Sequence, residues 1–380
     1  MNLLRIDSLA TGGRGIGRLA GRAAFVPGTA PGDLVDIRIT SDKGRFVEAS
    51  VVDLIESGPG RVQPRCQHVG ECGGCSWQHL DYATQVEAKV QLLEDSVRRI
   101  GRVKSIPPIE ARYGEPWNYR NRAQFQPGHD AMGRFWGFFS GGSRKALRLK
   151  QCPVLVQELQ EAWNTLPPPV NTAHGERYEW VARAFGAEGK QWLHLPGETG
   201  EVAVDVLGRS LRFRADGFFQ SNLGLLPSLI EAVLDDLTGK WAVDLYSGVG
   251  LFARFLEERF EQVDAVEPDP AALVLARQNL KRSTFHPLMA EGWLSKIRKE
   301  RPDVVIVDPP RQGLTSHALE GILRLAPRKL RYVSCGHDTL ARDLGHFERA
   351  GWKLTRLFMF DFYPQTPHLE SLAWLEPPEA

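Results

Sequence analysis

From about residue 216 to the end, short apolar runs alternate with helical stretches, and this alternation constrains the fold more than any other feature. KWAVDLYSG, EQVDAVEPD, PDVVIVDPP and LRYVSCG are strand-like, and each closes on Gly, Pro or Asp. GLFARFLEERF, PAALVLARQNLKR and SHALEGILRLAP lie between them with apolar residues at helical spacing. Parallel strands need a long crossover, and a helix supplies it. The pattern predicts an α/β fold with a parallel sheet covered by helices on both faces. WKLTRLFMFDFYP and HLESLAWLEP follow without an intervening helix and predict a hairpin at the sheet edge.

Ligands of such sheets bind beyond the carboxyl ends of the strands. Asp244-Leu-Tyr-Ser-Gly-Val-Gly250 closes the first strand, where Gly248 and Gly250 would let the backbone approach a ligand. Glu267 ends the second strand and can accept hydrogen bonds from ribose hydroxyls. The spacing is not G-x-G-x-x-G, so a dinucleotide pyrophosphate is not expected. A tight turn would also account for the glycine pair alone. Asp308-Pro-Pro-Arg311 ends the strand PDVVIVDPP, and Cys335 ends the next, LRYVSCG. A lone cysteine is commonly a small apolar residue. At a ligand edge, with a helix start behind it, the thiol becomes a candidate nucleophile. In Pro-His368-Leu-Glu370, strand geometry would put His368 and Glu370 on one face. Glu370 is a candidate base, the alternative being a solvated edge carboxylate.

The N-terminal part reads differently. LLRIDSLA, RAAFVPG, DLVDIRITSDKG and RFVEASVVDLIE predict a five-stranded barrel over residues 1–57, with arginines in the loop GGRGIGRLAGR. Residues 58–215 predict a mixed α+β central domain, with a helix over 81–101 stopped by glycine and a Pro-rich loop at WNTLPPPVNTAHG. Residues 216–380 form the third domain. Residues 1–150 hold 22 Lys and Arg against 15 Asp and Glu, whereas residues 151–380 hold 25 against 31. A basic half joined to an acidic half suits a polyanion-binding module fused to a chemical one. No apolar run approaches the length of a membrane span, and the N-terminus lacks a signal-peptide pattern, so a cytoplasmic location and no membrane partner are expected. Cysteines of a cytosolic chain point to metal or catalysis rather than disulfides. Cys66-x5-Cys72-Gly-Gly-Cys75 with Cys152 makes a thiol quartet, which holds iron–sulfur clusters or zinc. A single C-x-x-C and a distant fourth thiol favour a [4Fe–4S] cluster over zinc.

Together these motifs resemble the RNA (uracil-5-)-methyltransferase family along almost the whole chain. The N-terminal unit resembles that family's TRAM-like, OB-type barrel. The cysteine quartet resembles its [4Fe–4S] site, and Phe218-Phe219-Gln220-Ser221-Asn222 its F-Q-x-N signature. D-L-Y-S-G-V-G, D-P-P-R, S-C-G and H-x-E follow in the family's order. The resemblance implies a C-terminal Rossmann-like class I methyltransferase sheet that uses S-adenosylmethionine. It implies Gln220, Asp244, Tyr246, Gly248, Gly250, Glu267 and Asp308 around the methyl donor, with Asp308 near the target ring. It implies Cys335 as nucleophile and Glu370 as base in methylation of uracil carbon-5. The barrel and the thiol quartet together point to ribosomal RNA, in particular 23S, rather than transfer RNA, with no obligate protein partner. An iron–sulfur RNA-binding protein without catalysis and a zinc-containing methyltransferase of small molecules or proteins are the readings from other classes.

Overall fold

A computed structural model describes residues 2–169, 182–195, 198, 200–297 and 301–378. The chain forms two units. The first comprises Met1–Leu92, Glu115–Glu198 and Tyr363–His368, and the second Leu93–Gly114, Thr199–Phe362 and Leu369–Ala380.

In the first unit, strands Leu3–Leu9, Gly15–Leu19, Arg22–Val26, Leu34–Asp42 and Phe46–Glu56 close a barrel. Alternate residues turn inward, so Leu4, Ile6, Ala24, Val26, Val35, Ile37, Val47 and Ala49 form its core. Closure leaves no long edge strand exposed to pairing. The helix over Tyr82–Ser96 runs into one π turn, Val97–Gly101, and Arg102 then adopts φ 56° to end it. A second sheet of five antiparallel strands, Lys190–His194, Ala182–Ala187, Arg122–Asp130, Gly133–Phe139 and Ala146–Leu147, packs with helix Gln157–Thr165 around Phe125, Trp136 and Trp163. Part of the Pro-rich segment, residues 170–175, lies outside the described residues.

The second unit is built on eight strands in the order Thr284–His286, Phe260–Val266, Gly239–Leu245, Val304–Val307, Lys329–Ser334, Glu370–Glu376, Lys353–Phe360 and Ile109–Arg112. The first five run parallel, as the strand–helix alternation requires. Val304–Val307 is buried throughout, as a strand covered on both faces must be. Glu370–Glu376 is antiparallel to both of its neighbours. The expected hairpin is present, but it does not form the sheet edge. Ile109–Arg112 pairs in parallel with Lys353–Phe360 and takes that place, and Arg356 binds the Glu110 carboxylate at 2.8 and 2.9 Å. This pairing moves residues 93–114 out of the expected central domain and into the second unit. Residues 199–215 move likewise: hairpin Glu201–Val206/Arg209–Arg214 is tied to Asn279 through the Arg212 amide and carbonyl at 2.8 and 2.9 Å. Among the described residues no helix is long and apolar enough to cross a membrane.

The helix that follows Cys335, His337–Arg349, packs against the π turn through two glycines. A Cβ on Gly345 would lie 2.2 Å from the Gly101 carbonyl oxygen, and one on Gly101 would lie 2.5 Å from that of Ala341. Backbone cannot yield as a flexible side chain can, so Gly345→Ala should destabilise the unit by about 1–3 kcal/mol through overpacking. Gly292→Ala is the matched control: its helical Cβ would meet nothing within 4 Å, and it should stabilise by roughly 0.5–1 kcal/mol. Thermal unfolding of both variants checks the pair; equal shifts would contradict the packing account.

Candidate active site

The carboxyl ends of the five parallel strands share one edge of the sheet. Because Glu370–Glu376 runs the other way, its first residue starts at that same edge. Ser334 pairs with Ser371, so Cys335 and Glu370 flank one register position on adjacent strands. Ser371 Oγ donates to the Ser334 carbonyl at 3.0 Å and fixes the register. Asp308 follows Val307 on the other neighbour of the Cys335 strand. Burial pushes the Cys335 thiol up to about 11, and the nearby Glu370 and Asp308 charges add to the rise while Arg311 opposes it. Burial likewise pushes Asp308 up to about 7. Glu370, only 2% exposed, is raised well above the usual carboxylate range by burial and then by Asp308. His368 lies outside the strand, which begins at Glu370, so the expected His368–Glu370 strand face does not form.

The glycine loop lies at the end of the central strand. Gly250 sits at φ 88°, and a Cβ there would lie 2.8 Å from Leu280 Cδ1, so both conformation and space demand glycine. Gly248 sits at φ 54° with open space where its Cβ would be. Tyr246 adopts φ 64° without being glycine; such backbone strain persists only where the surroundings fix it. Here the Ser247 amide donates to the Val266 carbonyl at 3.1 Å, and the Gly250 amide donates to the Ser247 carbonyl at 2.8 Å. Glu267 accepts from the Gly248 amide at 3.0 Å and the Asp269 amide at 2.8 Å, so the acid expected to face a ribose also braces the loop.

Three buried acceptors in this region lack a protein partner: Gln220 Oε1, Asp244 Oδ1 and Ser247 Oγ. An unsatisfied buried polar group costs about 1–3 kcal/mol. Asp244 Oδ2 accepts from the Ala253 amide at 2.9 Å. Burial nevertheless pushes its carboxyl up to about 8, with the Asp308 and Glu267 charges contributing. Gln220 is held by the stacking of Phe219 on Phe213, with ring centroids 4.0 Å apart, and by the turn in which Asn222 Oδ1 accepts from the Leu225 amide at 3.2 Å. The orphaned acceptors and the free space at Gly248 fit a ligand rich in N–H and O–H donors, as the amino group and ribose hydroxyls of S-adenosylmethionine are.

Two supports were not legible from motifs. Ser247 lies within the glycine loop, where the D-x-x-x-G-x-G spacing gives it no role of its own. Asp343 shapes the Asp-Pro-Pro loop: its Oδ2 accepts from Tyr332 Oη at 2.6 Å and the Leu314 amide at 2.9 Å, and its Oδ1 from Arg342 at 2.8 Å. An aspartate on the buried face of an amphipathic helix, between Leu340 and Leu344, was the available signal.

The four remaining cysteines lie in the first unit. Burial raises the thiols of Cys72, Cys75 and Cys152, Cys75 to about 12. Cys72 senses the charge of Cys66, Cys75 that of Cys152 and Cys72, and Cys152 that of Cys72, while Arg120 opposes all three rises. Among the described residues no group of three or more His, Cys, Asp or Glu is arranged to hold a metal ion.

The Cys335 environment has a direct chemical consequence. Thiolate is the reactive form, so alkylation at pH 8 should run about a hundredfold slower than at an ordinary exposed cysteine. Removing a negative neighbour favours the thiolate, so Asp308→Asn should lower the thiol pKa and raise the rate at pH 8 several-fold, roughly 3–10 times. Peptide-resolved labelling with iodoacetamide across pH 7–11 measures both. A wild-type rate that levels off below pH 9 would contradict the assignment.

Comparison with known proteins gives the family. Residues 3–52 match the TRAM domain, residues 225–333 the methyltransferase small domain, and residues 294–377 the tRNA (uracil-5-)-methyltransferase family model. An uncharacterized RNA methyltransferase of Thermosynechococcus vestitus is 30% identical over 98% of this chain and 97% of its own length. The 23S rRNA (uracil(1939)-C(5))-methyltransferase RlmD of Edwardsiella ictaluri is 31% identical over 96% of this chain and 93% of its own. The crystal structure of Pyrococcus abyssi tRNA (uracil-54, C5)-methyltransferase with S-adenosyl-L-homocysteine superposes with a TM-score of 0.75, at 22% identity, over 98% of this chain and 100% of that one. The chain belongs to the S-adenosylmethionine-dependent RNA (uracil-5-)-methyltransferase family.

Proposed function

We propose that this protein methylates carbon-5 of a uridine in 23S ribosomal RNA through a covalent adduct of Cys335. The observation that carries the reading is the register Ser334–Ser371, which sets a thiol and a buried carboxyl side by side at the ligand edge. Uracil carbon-5 is a weak nucleophile. Attack of the Cys335 thiolate on carbon-6 forms a carbon–sulfur bond and moves the ring electrons onto the oxygen at carbon-4. The resulting enolate is nucleophilic at carbon-5. S-adenosylmethionine, when bound, supplies an electrophilic methyl group. Glu370 as carboxylate then takes the proton from carbon-5, the double bond re-forms, and the Cys335 thiolate leaves. Burial raises the Glu370 pKa, which makes its carboxylate a stronger base than an exposed one. Arg311, whose charge favours the thiolate, serves the attack. Gln220, Asp244, Tyr246, Gly248, Gly250 and Glu267 hold the methyl donor, and Asp308 stands between donor and target ring.

Ribosomal RNA is favoured because relatives named for 23S rRNA match nearly the whole chain. The target uridine must be unstacked to reach a partly buried thiol. The excess of Lys and Arg in residues 1–150 would hold phosphates, and affinity should fall steeply as salt rises. Cys66, Cys72, Cys75 and Cys152 would hold a [4Fe–4S] cluster in a structural role. The preference for a cluster over zinc rests on the single C-x-x-C and the distant fourth thiol.

RNA carrying tritium at uridine carbon-5 tests the reaction. Each methyl transferred should release one tritium to water, and Cys335→Ala should do neither. Methyl transfer without tritium release would place the methyl elsewhere and sink the reading. Protein purified without oxygen should be brown with broad visible absorbance, and Cys75→Ser should lose it. A colourless protein containing zinc would overturn the cluster assignment.

A further inference from the structure

The chain leaves the second unit at Phe362, passes through Tyr363–His368 as part of the first, and re-enters the second at Leu369. This excursion is the loop of the hairpin whose returning strand opens with Glu370, paired with Phe360 across the hairpin. Its backbone is gripped over its first three residues, Tyr363 to Gln365. The Gln365 carbonyl accepts from the Ser76 amide at 3.1 Å and the Trp77 amide at 3.0 Å. The Gln365 amide donates to Gln85 Oε1 at 2.8 Å, and Gln85 Nε2 donates back to Gln365 Oε1 at 3.0 Å. Lys89 Nζ donates to the Tyr363 carbonyl, and Tyr119 Oη to the Pro364 carbonyl, each at 3.0 Å. Gln85 and Lys89 are fully buried, and Gln365 is 2% exposed. Gln365 also adopts φ 69°, a left-handed conformation that a glutamine holds only where its surroundings dictate it.

Hairpin loops ordinarily sit in solvent and vary freely. This one carries a reciprocal amide pair, a buried ammonium and a strained residue, and it ends two residues before the candidate base. We propose that Gln85, Lys89 and Tyr119 are positioning residues for Glu370: they hold the Tyr363–His368 loop, and the held loop steadies the carboxyl at the head of the strand that follows, whose register the sheet sets. The proposal rests on the assignment of Glu370 as the base that removes the carbon-5 proton. Loosening the clamp should leave thiolate attack and methyl transfer largely intact and slow only the proton removal that frees Cys335.

The full-length protein can report these steps separately. With 5-fluorouridine RNA there is no carbon-5 proton to remove, so adduct formation reports attack and methyl transfer alone. With ordinary uridine RNA, slow proton removal leaves the methylated RNA attached to Cys335 as an adduct stable in detergent gels. Gln85→Leu, Lys89→Met and Tyr119→Phe should lower turnover on uridine RNA by about tenfold and accumulate that adduct, while the 5-fluorouridine rate stays within about twofold of wild type. Glu370→Gln is the reference. If it accumulates adduct and the three variants do not, or if both rates fall together in Tyr119→Phe, the clamp is only structural and the proposal fails. If Glu370→Gln accumulates none, the base assignment falls, and the clamp proposal with it. Should Gln85→Leu or Lys89→Met lose its melting transition, Tyr119→Phe decides, because it removes one hydroxyl and leaves the ring packed.

Discussion

One reversed strand organises the catalytic unit. In an all-parallel sheet every strand delivers only its last residue to the ligand edge. Inserting Glu370–Glu376 antiparallel between Lys329–Ser334 and Lys353–Phe360 delivers a first residue there as well. The hydrogen-bond ladder then fixes which residue arrives. A slip of one position would turn the Glu370 side chain to the opposite face and place Ser371 at the edge. Burial on both sides of these strands makes such a slip expensive, and the bond from Ser371 Oγ to the Ser334 carbonyl adds to the cost. The thiol–carboxyl pair therefore follows from backbone pairing, before any side-chain interaction is considered.

The same edge gathers repulsive charge. The Asp308 charge acts on Asp244, Glu370 and the thiol, Glu267 acts on Asp244 and Glu370 on the thiol, and burial raises Asp244, Asp308 and Glu370. A carboxyl whose folded pKa is raised contributes stability that is complete below its unfolded value near 4 and is lost as pH climbs through the folded value. For Asp308 and Asp244 that loss runs from about pH 4 to about 7 and 8. Near neutral pH these groups work against folding, as functional groups commonly do. A cationic methyl donor would reverse part of that repulsion, and the orphaned acceptors of Gln220, Asp244 and Ser247 would gain partners at the same time.

Much of this was legible in the sequence because strand ends are punctuated. Gly, Pro and Asp at the close of each apolar run located Asp244, Glu267, Asp308 and Cys335 at one edge, and four β-rich runs in residues 1–57 pointed to the barrel, whose remaining strand, Gly15–Leu19, lies in the glycine- and arginine-rich segment that reads as a loop. What escaped is non-local. Nothing in the local pattern of Ile109–Arg112 says that it pairs with a strand some 250 residues later, so the sheet edge was misplaced. Hairpin 201–214 groups with the second unit because its partner, Asn279, lies on a helix far along the chain, which no local pattern announces. His368 was misjudged by extending strand alternation past the true strand start. The grip on Tyr363–His368 was invisible, since glutamines at positions 85 and 365 announce nothing until the fold pairs them.

The central claim is that Cys335 bonds to carbon-6 of a uracil whose carbon-5 receives the methyl group. Mass spectrometry of the complex trapped with 5-fluorouridine RNA and S-adenosylmethionine tests it most directly. After nuclease and protease digestion, the account predicts one modified peptide, carrying a methylated 5-fluorouridine nucleotide on Cys335 and on no other cysteine. A trapped nucleotide on a different residue, or a complex that still forms with Cys335→Ala, would contradict it.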